Sequence, residues 1–246
     1  MQVQSAIITQ LQPVSTAATT GMRAAGSGLE ILMNRAGGAR RRVRRGEYLY
    51  RLGASFNALY GIRAGTFKSV LLTEDGREQV TGFHMCGDVL GLDGIGSEHY
   101  TGDAVALEDS EVIEIPFGDL DGLACHEPAL QRELFRLLAG EIQRERSLML
   151  LLGSMRAEER LAAFLINLSQ RLCARGFSAH RFLLRMTREE VGSLLGLKLE
   201  TVSRILSRFQ AEGLISVRNR EIEIVSMAAL QAVIGRTDAR REREAA

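Results

Sequence analysis

Within Thr187–Gly213, TREEVGSLLGLKLETVSRILSRFQAEG, one polar set could do chemistry: Glu200, Ser203 and Arg204, with Lys198, Thr201, Ser207 and Arg208 around them. An arginine forks onto guanine O6 and N7, a carboxylate accepts from cytosine N4, and a serine suits several bases or a thymine methyl. A carboxylate beside phosphates is costly, so Glu200 in this company points to base reading. Residues three and four apart on a helix share a face, which puts these side chains together if the stretch is helical.

The flanking sequence supplies the elements. Thr187 is a good N-cap, and Glu190 completes a capping box for a helix running to about Leu195. Gly196 sits where a turn needs positive φ. A second helix over about Lys198–Glu212 has Leu199, Val202, Ile205, Leu206 and Phe209 for its inner face, and Gly213 as its stop. Periodicity alone leaves two readings, an amphipathic core helix with a solvated polar face or a recognition helix. The next residues favour the second. Leu214–Val217 and Ile222–Val225 alternate as strands around the polar turn Arg218–Glu221. A hairpin directly after the second helix makes a winged helix-turn-helix. Its tip places Arg218 and Arg220 for phosphate contact, with Thr187, Lys198, Thr201, Ser207 and Arg208 completing the expected backbone set.

Three stretches then carry a family resemblance: AEERLAAFLINLSQR (Ala157–Arg171), LGLKLETVSRILSRFQAEGLI, and LYGIRAGTFKSV with GREQVTGFHMCGDVLGLDGIG (within Leu59–Gly96). The chain resembles the Crp–Fnr regulators, in the branch of the anaerobic fumarate–nitrate reductase regulators, over roughly Arg40 to Gly235. That resemblance implies an α+β fold with an N-terminal cyclic-nucleotide-binding-like β-roll, a long dimerisation helix and a C-terminal winged helix-turn-helix. It implies a Glu-x-x-Ser-Arg reader, here Glu200, Ser203 and Arg204, acting on double-stranded DNA at a palindrome of TTGAT-type half-sites. It also implies that the loop Thr73–Gln79, with Thr73, Glu74, Asp75, Gly76 and Arg77, touches RNA polymerase.

Composition agrees with a regulator of this kind. The 246 residues are 46% hydrophobic and 25% charged, with a net charge of +1. The average hides an asymmetry. Arg156–Arg220 holds 12 Lys and Arg against 6 Asp and Glu, whereas Leu71–Glu145 holds 4 against 17. A basic block at the winged helix is the electrostatic footprint of DNA binding. No apolar run approaches the roughly 18 residues a membrane span requires. Three scattered cysteines suggest no disulfide framework, as expected of a cytoplasmic protein.

Along the chain, residues 1–39 read as a variable segment. Met1–Ser27 has a disordered composition rather than that of a transit peptide, and Leu29–Met33 is a short helical stretch. The basic run Arg40, Arg41, Arg42, Arg44 and Arg45 reads as a solvated face ahead of the first roll strand. Residues 40–126 form the roll. Its expected strands are Tyr48–Arg51, Ala58–Ala64, Thr66–Leu72, Glu78–His84, Asp103–Ala106 and Glu111–Ile115, with turns at Gly65, Gly76 and Gly87. Residues 127–155 are the amphipathic helix, with Leu130, Leu134, Leu138, Ile142, Glu145, Met149 and Leu152 as the seam of a homodimer and Leu137 and Leu148 facing the roll. Across a two-fold axis the Glu145 carboxylates repel, and Arg144 and Arg146 are near enough to offset this, so the sign stays open. Residues 156–236 hold a bridging helix (Ala157–Arg175), the winged helix and a closing helix (Met227–Ile234, capped by Ser226); residues 237–246 form a charged tail.

For the input, two ligands can be weighed. A cyclic nucleotide needs a glycine-acid turn, present as Gly87-Asp88-Val89-Leu90-Gly91, and an Arg-Ser/Thr pair for the phosphate. Glu98–Asp103 has no arginine and offers carboxylates, which disfavours a buried phosphate. The [4Fe–4S] cluster of the resembled branch needs four thiolates. The sequence has Cys86, Cys125 and Cys173 only, and Ile113 stands at the position matching the roll ligand. No metal ligand set and no cofactor is expected. A haem held by His84, His99, His126 or His180, or a thiol signal at Cys86, remains the alternative input; Cys173 reads as packing. From other classes, a ligand-binding module using its winged helix for protein contact would lack a steep salt dependence. An enzyme would need a catalytic constellation that the sequence does not contain.

Overall fold

The computed structural model describes residues 38–235 apart from Glu74. The expected N-terminal disorder, the helix at Leu29–Met33 and the tail Thr237–Ala246 lie outside the described residues. Two compact units follow one another, divided between Glu141 and Ile142.

The first unit is built from two four-stranded antiparallel sheets. One has the order β1 (Ala39–Val43), β8 (Ser110–Pro116), β3 (Ala58–Ala64), β6 (Val89–Leu90). The other has the order β2 (Tyr48–Tyr50), β7 (Asp103–Ala106), β4 (Thr66–Leu72), β5 (Glu78–Met85). Alternation along the strands divides the apolar residues between two cores. Tyr60, Ile62 and Val112 face inward to meet Tyr50, Phe67 and Ala104 from the second sheet and Tyr100 from the segment before β7. Leu59, Ile113 and Ile115 point the other way, where α1 (Phe117–Ala124) and the start of α2 (Pro128–Ser154) cover them with Leu120, Ala124 and Leu130.

The sequence reading finds β2, β3, β4, β5, β7 and β8 and misses β1 and β6. The arginine run is not ahead of the first strand but inside it. Arg40, Arg41 and Arg42 pair in register with Ile113, Val112 and Glu111, and Arg41 lies 3.9 Å from Glu114. An ARRRV strand has no alternating apolar signal, because its exposed edge needs none. Strand β6 and helix α1 were likewise unforeseen.

The inner core is aromatic around Tyr100, within the Glu98–Asp103 stretch. Tyr100 stacks on Tyr50 with ring centroids 4.0 Å apart, and its hydroxyl donates to the Ala58 carbonyl at 2.8 Å. Burial pushes the Tyr100 phenol well above its ordinary range. The acidic residues are engaged locally: Asp88 accepts from the Met85 amide, Asp93 from the amide and hydroxyl of Thr101, and Asp103 from the Leu52 amide.

Helix α2 is continuous over 27 residues. Leu130 is fully buried against the roll, with Leu134, Leu137 and Leu138 half-buried beside it. Leu134 and Leu138, expected in the seam, touch the roll with part of their surface and leave the rest open. The exposed apolar residues of α2 are Phe135, Ile142, Met149 and Leu150, and Glu145 is exposed between them. Periodicity could not separate these faces, since leucines three and four apart serve either purpose.

The second unit continues with α3 (Ala157–Cys173), β9 (Arg181–Leu183), α4 (Arg188–Leu195), α5 (Leu199–Ala211), β10 (Ile215–Arg218), β11 (Glu221–Ile224) and α6 (Met227–Gly235). Its core joins Leu161, Leu165, Leu195, Phe209 and Ile215, each almost wholly buried. Ser226 caps α6 as expected, accepting from the Ala229 amide at 3.2 Å. Cys173, expected to pack, is exposed because it is the last residue of α3.

Candidate nucleic-acid interface

Helix α4 begins as its sequence dictates. Thr187 Oγ1 accepts from the Glu190 amide at 3.1 Å, and the Glu190 carboxylate accepts from the Thr187 amide at 2.7 Å. The helix stops at Gly196, whose φ of 63° is open to glycine at no steric cost. The turn is tight as well as left-handed. A Cβ on Gly192 would stand 2.5 Å from the Leu197 carbonyl oxygen, so only hydrogen fits there.

Helix α5 starts after Lys198 and buries Val202, Ile205, Leu206 and Phe209. Leu199, expected on that inner face, is instead 44% exposed. Being in the first turn, it overhangs a hollow of about 280 Å³ between α5 and the hairpin, rimmed by Thr187, Arg188, Asn219 and Arg220. Glu200 and Arg204 are exposed and Ser203 is half-buried. The three residues singled out from sequence thus share one accessible surface at the start of α5, beside exposed Lys198 and half-buried Thr201.

The hairpin pairs Ile215 with Ile224 and Arg218 with Glu221, leaving a two-residue turn of Asn219 and Arg220. Asn219 has φ 57°, the left-handed region that asparagine tolerates. Arg218 and Arg220 are exposed at this tip. A third strand, β9, pairs with β11 and was missed; three residues are too few for a period. The Arg181 guanidinium holds the Glu221 carboxyl below its usual range, at 2.6 Å across that pairing.

Other backbone-contact candidates are differently placed. Arg208 is paired within the chain: its Nε donates to Glu212 at 2.7 Å and its Nη1 to Glu158 at 2.5 Å. The two carboxylates raise its pKa further. The Ser207 hydroxyl donates to the Ser203 carbonyl at 3.0 Å. Two arginines missed by the sequence reading belong to the site. Arg188 donates to Ser203 Oγ at 3.2 Å, and Arg160 ties the end of α4 to the start of α3. Neither could be found by periodicity, because both act across elements.

In the other unit, the Thr73–Gln79 loop closes on itself. Arg77 grips Asp75 through Nε and Nη2, at 2.7 and 2.6 Å, and holds its carboxyl below the ordinary range with help from the Thr73 hydroxyl. Gly76 takes φ 78° in the turn, and Glu74 lies outside the described residues.

A capped helix-turn-helix followed by a hairpin, on a chain that also carries a two-sheet roll, defines a DNA-binding transcription regulator. Comparison with known proteins agrees. Residues 40–126 match the cyclic nucleotide-binding domain profile, and residues 159–233 match that of the Crp-like helix-turn-helix domain. The chain is 48% identical over 195 residues to the fumarate and nitrate reduction regulatory protein of Salmonella typhimurium, covering 79% of this chain and 78% of that protein. It is 47% identical over 194 residues to the transcriptional regulatory protein btr of Bordetella pertussis, covering 79% and 80%. The solved structure of FixK2 from Bradyrhizobium japonicum superposes with a TM-score of 0.74 at 32% identity, covering 79% of this chain and 96% of that one. The chain belongs to the Crp–Fnr family of transcription regulators.

Among the described residues no helix is long and apolar enough to cross a membrane, and no group of three or more metal-ligating side chains is present.

Proposed function

We propose that the protein is a cytoplasmic homodimeric regulator that reads a palindrome of TTGAT-type half-sites with Glu200, Ser203 and Arg204, recruits RNA polymerase through the Thr73–Arg77 loop, and activates genes under low oxygen. The observation that carries the reading is the shared exposed face of those three residues at the start of a capped α5, flanked by the Arg218 and Arg220 hairpin tip. In this reading the dimer forms along α2 through Leu134, Leu138, Ile142, Glu145, Met149 and Leu152, of which Ile142, Glu145 and Met149 are exposed.

The four-thiolate cluster of the resembled branch does not fit these residues. Three cysteines are present, all exposed, and Ile113 at the matching roll position is buried among Leu59, Val89 and Ile115. The signal therefore acts without a [4Fe–4S] group in this reading. Cyclic nucleotide fits no better, given the Tyr50–Tyr100 stack and the carboxylates already engaged around it.

The test is binding of the purified chain to a TTGAT palindrome and to scrambled duplexes across a salt series. Selective binding by a dimer, with a steep salt slope, is expected. A monomer indifferent to the palindrome at low salt would overturn the reading. An absorbance spectrum of protein purified without oxygen tests the input: a haem or iron–sulfur band would overturn the cofactor-free assignment.

A further inference from the structure

Arg188 is the first residue of α4, immediately after the Thr187 cap, and it is exposed at the rim of the hollow beside α5. Its Nη1 donates to Ser203 Oγ at 3.2 Å. The contact joins the first helix of the helix-turn-helix to the middle member of the base-reading set, and its importance rests on that reading of Glu200, Ser203 and Arg204.

A serine hydroxyl is by itself an ambiguous reader, because it both donates and accepts and so suits several bases. A guanidinium donating into its oxygen removes the ambiguity. One lone pair is occupied, and the adjacent positive charge opposes a second incoming N–H. The hydroxyl hydrogen stays available and becomes a stronger donor, since hydrogen bonds in a chain polarise one another.

We propose that Arg188 is a positioning residue that sets specificity, by fixing Ser203 as a hydrogen-bond donor toward the DNA. The base opposite Ser203 must then present an acceptor in the major groove: thymine O4, guanine O6 or N7, or adenine N7. Cytosine, whose edge there offers an N4 donor, is rejected.

The surroundings hold this arrangement. The reciprocal Thr187–Glu190 bonds fix the backbone from which Arg188 springs. Arg188 lines the hollow together with Leu199 and Leu206, which gives its aliphatic stem an apolar wall. Ser207 does not compete for the Ser203 hydroxyl, because its own hydroxyl is directed to the Ser203 carbonyl.

The experiment measures binding of full-length wild type, Arg188→Ala, Arg188→Lys, Ser203→Ala and the Arg188→Ala/Ser203→Ala double variant to a TTGAT palindrome. Every half-site position is substituted singly, at several salt concentrations. The Ser203 position is the one whose preference Ser203→Ala abolishes. Wild type should reject cytosine there by about tenfold or more, the usual scale for one mismatched position. Arg188→Ala should reduce that to about two- or threefold, with the guanine preference of Arg204 intact, and the double variant should discriminate no worse than Ser203→Ala alone. Arg188→Lys keeps the charge without the fork and should fall between. The inference is overturned if Arg188→Ala weakens all duplexes alike, lowering the salt slope by about one while leaving every base preference in place; that is the behaviour of a phosphate contact. If folded wild type discriminates at no position, the base-reading proposal itself fails, and the two failures are thus told apart.

Discussion

The guanidinium of Arg160 donates to the carbonyl of Leu195, 35 residues further along the chain, at 3.0 Å. Its Nη2 reaches the Leu152 carbonyl at 2.7 Å and its Nε the Met155 carbonyl at 2.9 Å. Leu195 ends α4, Leu152 lies in the last turn of α2 and Met155 directly follows it, so one cation serves carbonyls at the C-terminal ends of two helices. The DNA-reading turn and the end of the long helix are held by the same side chain.

Replacing Arg160 by methionine keeps the aliphatic stem and removes all three donors. Hydrogen bonds involving a charged group contribute about 1.5–3 kcal/mol each, and three that share one side chain are not additive, so a loss of about 2–4 kcal/mol is expected. Urea unfolding should show a lower midpoint at unchanged slope. Unaltered stability would mean that the carbonyls find water equally well.

Gly192→Ala should be more damaging than its size suggests. The added methyl meets the Leu197 carbonyl oxygen at 2.5 Å, a backbone atom that cannot move without opening the turn. Overpacking of this kind costs about 1–3 kcal/mol. DNA affinity should fall with it, because Leu197 leads directly into α5. Gly213→Ala, where a Cβ meets nothing within 4 Å but φ is 71°, separates backbone strain from collision.

Arg204→Ala is expected to relax readout at one guanine and cost about 1–3 kcal/mol, whereas Arg218→Ala should weaken binding evenly across sequences and reduce the salt slope by about one. A competition series with single-base variants measures both. Equal sequence preference in the Arg204 variant would remove it from the reading set.

Glu158→Gln breaks the pair that draws Arg208 toward α3 while leaving Glu212 in place. Freed in part, Arg208 should add phosphate attraction, seen as tighter binding at low salt and a steeper salt dependence. No change in slope would show that Glu212 alone keeps it from the DNA.

Across β9 and β11, Arg181 holds the Glu221 carboxyl below its ordinary range, and both groups are exposed. A carboxyl depressed in the folded state stabilises above its unfolded pKa of about 4.3, and that contribution fades as pH falls through the folded value. Screening by solvent keeps the effect small. An NMR titration of Glu221 should show its pKa below that of an unfolded-chain glutamate, returning upward in Arg181→Met.

How far the residues speak for themselves differs from place to place. Thr187, Glu190, Gly196 and the apolar period of α5 determine the helix-turn-helix from sequence alone, because caps, positive φ and a buried stripe are local requirements met within a few residues. The strands at Ala58–Ala64 and Thr66–Leu72 are equally legible, since the glycine turn at Gly65 punctuates two long, largely apolar runs. Short or edge pieces such as β1, β6 and β9 escape notice because their pairing comes from a distant partner. Which leucines of α2 meet their own roll, that Arg208 is engaged by Glu158, and that Arg188 reaches Ser203 were decided only in three dimensions. A side chain's period names its face; its partner is named by whichever element the chain returns to that face, and no local rule contains that.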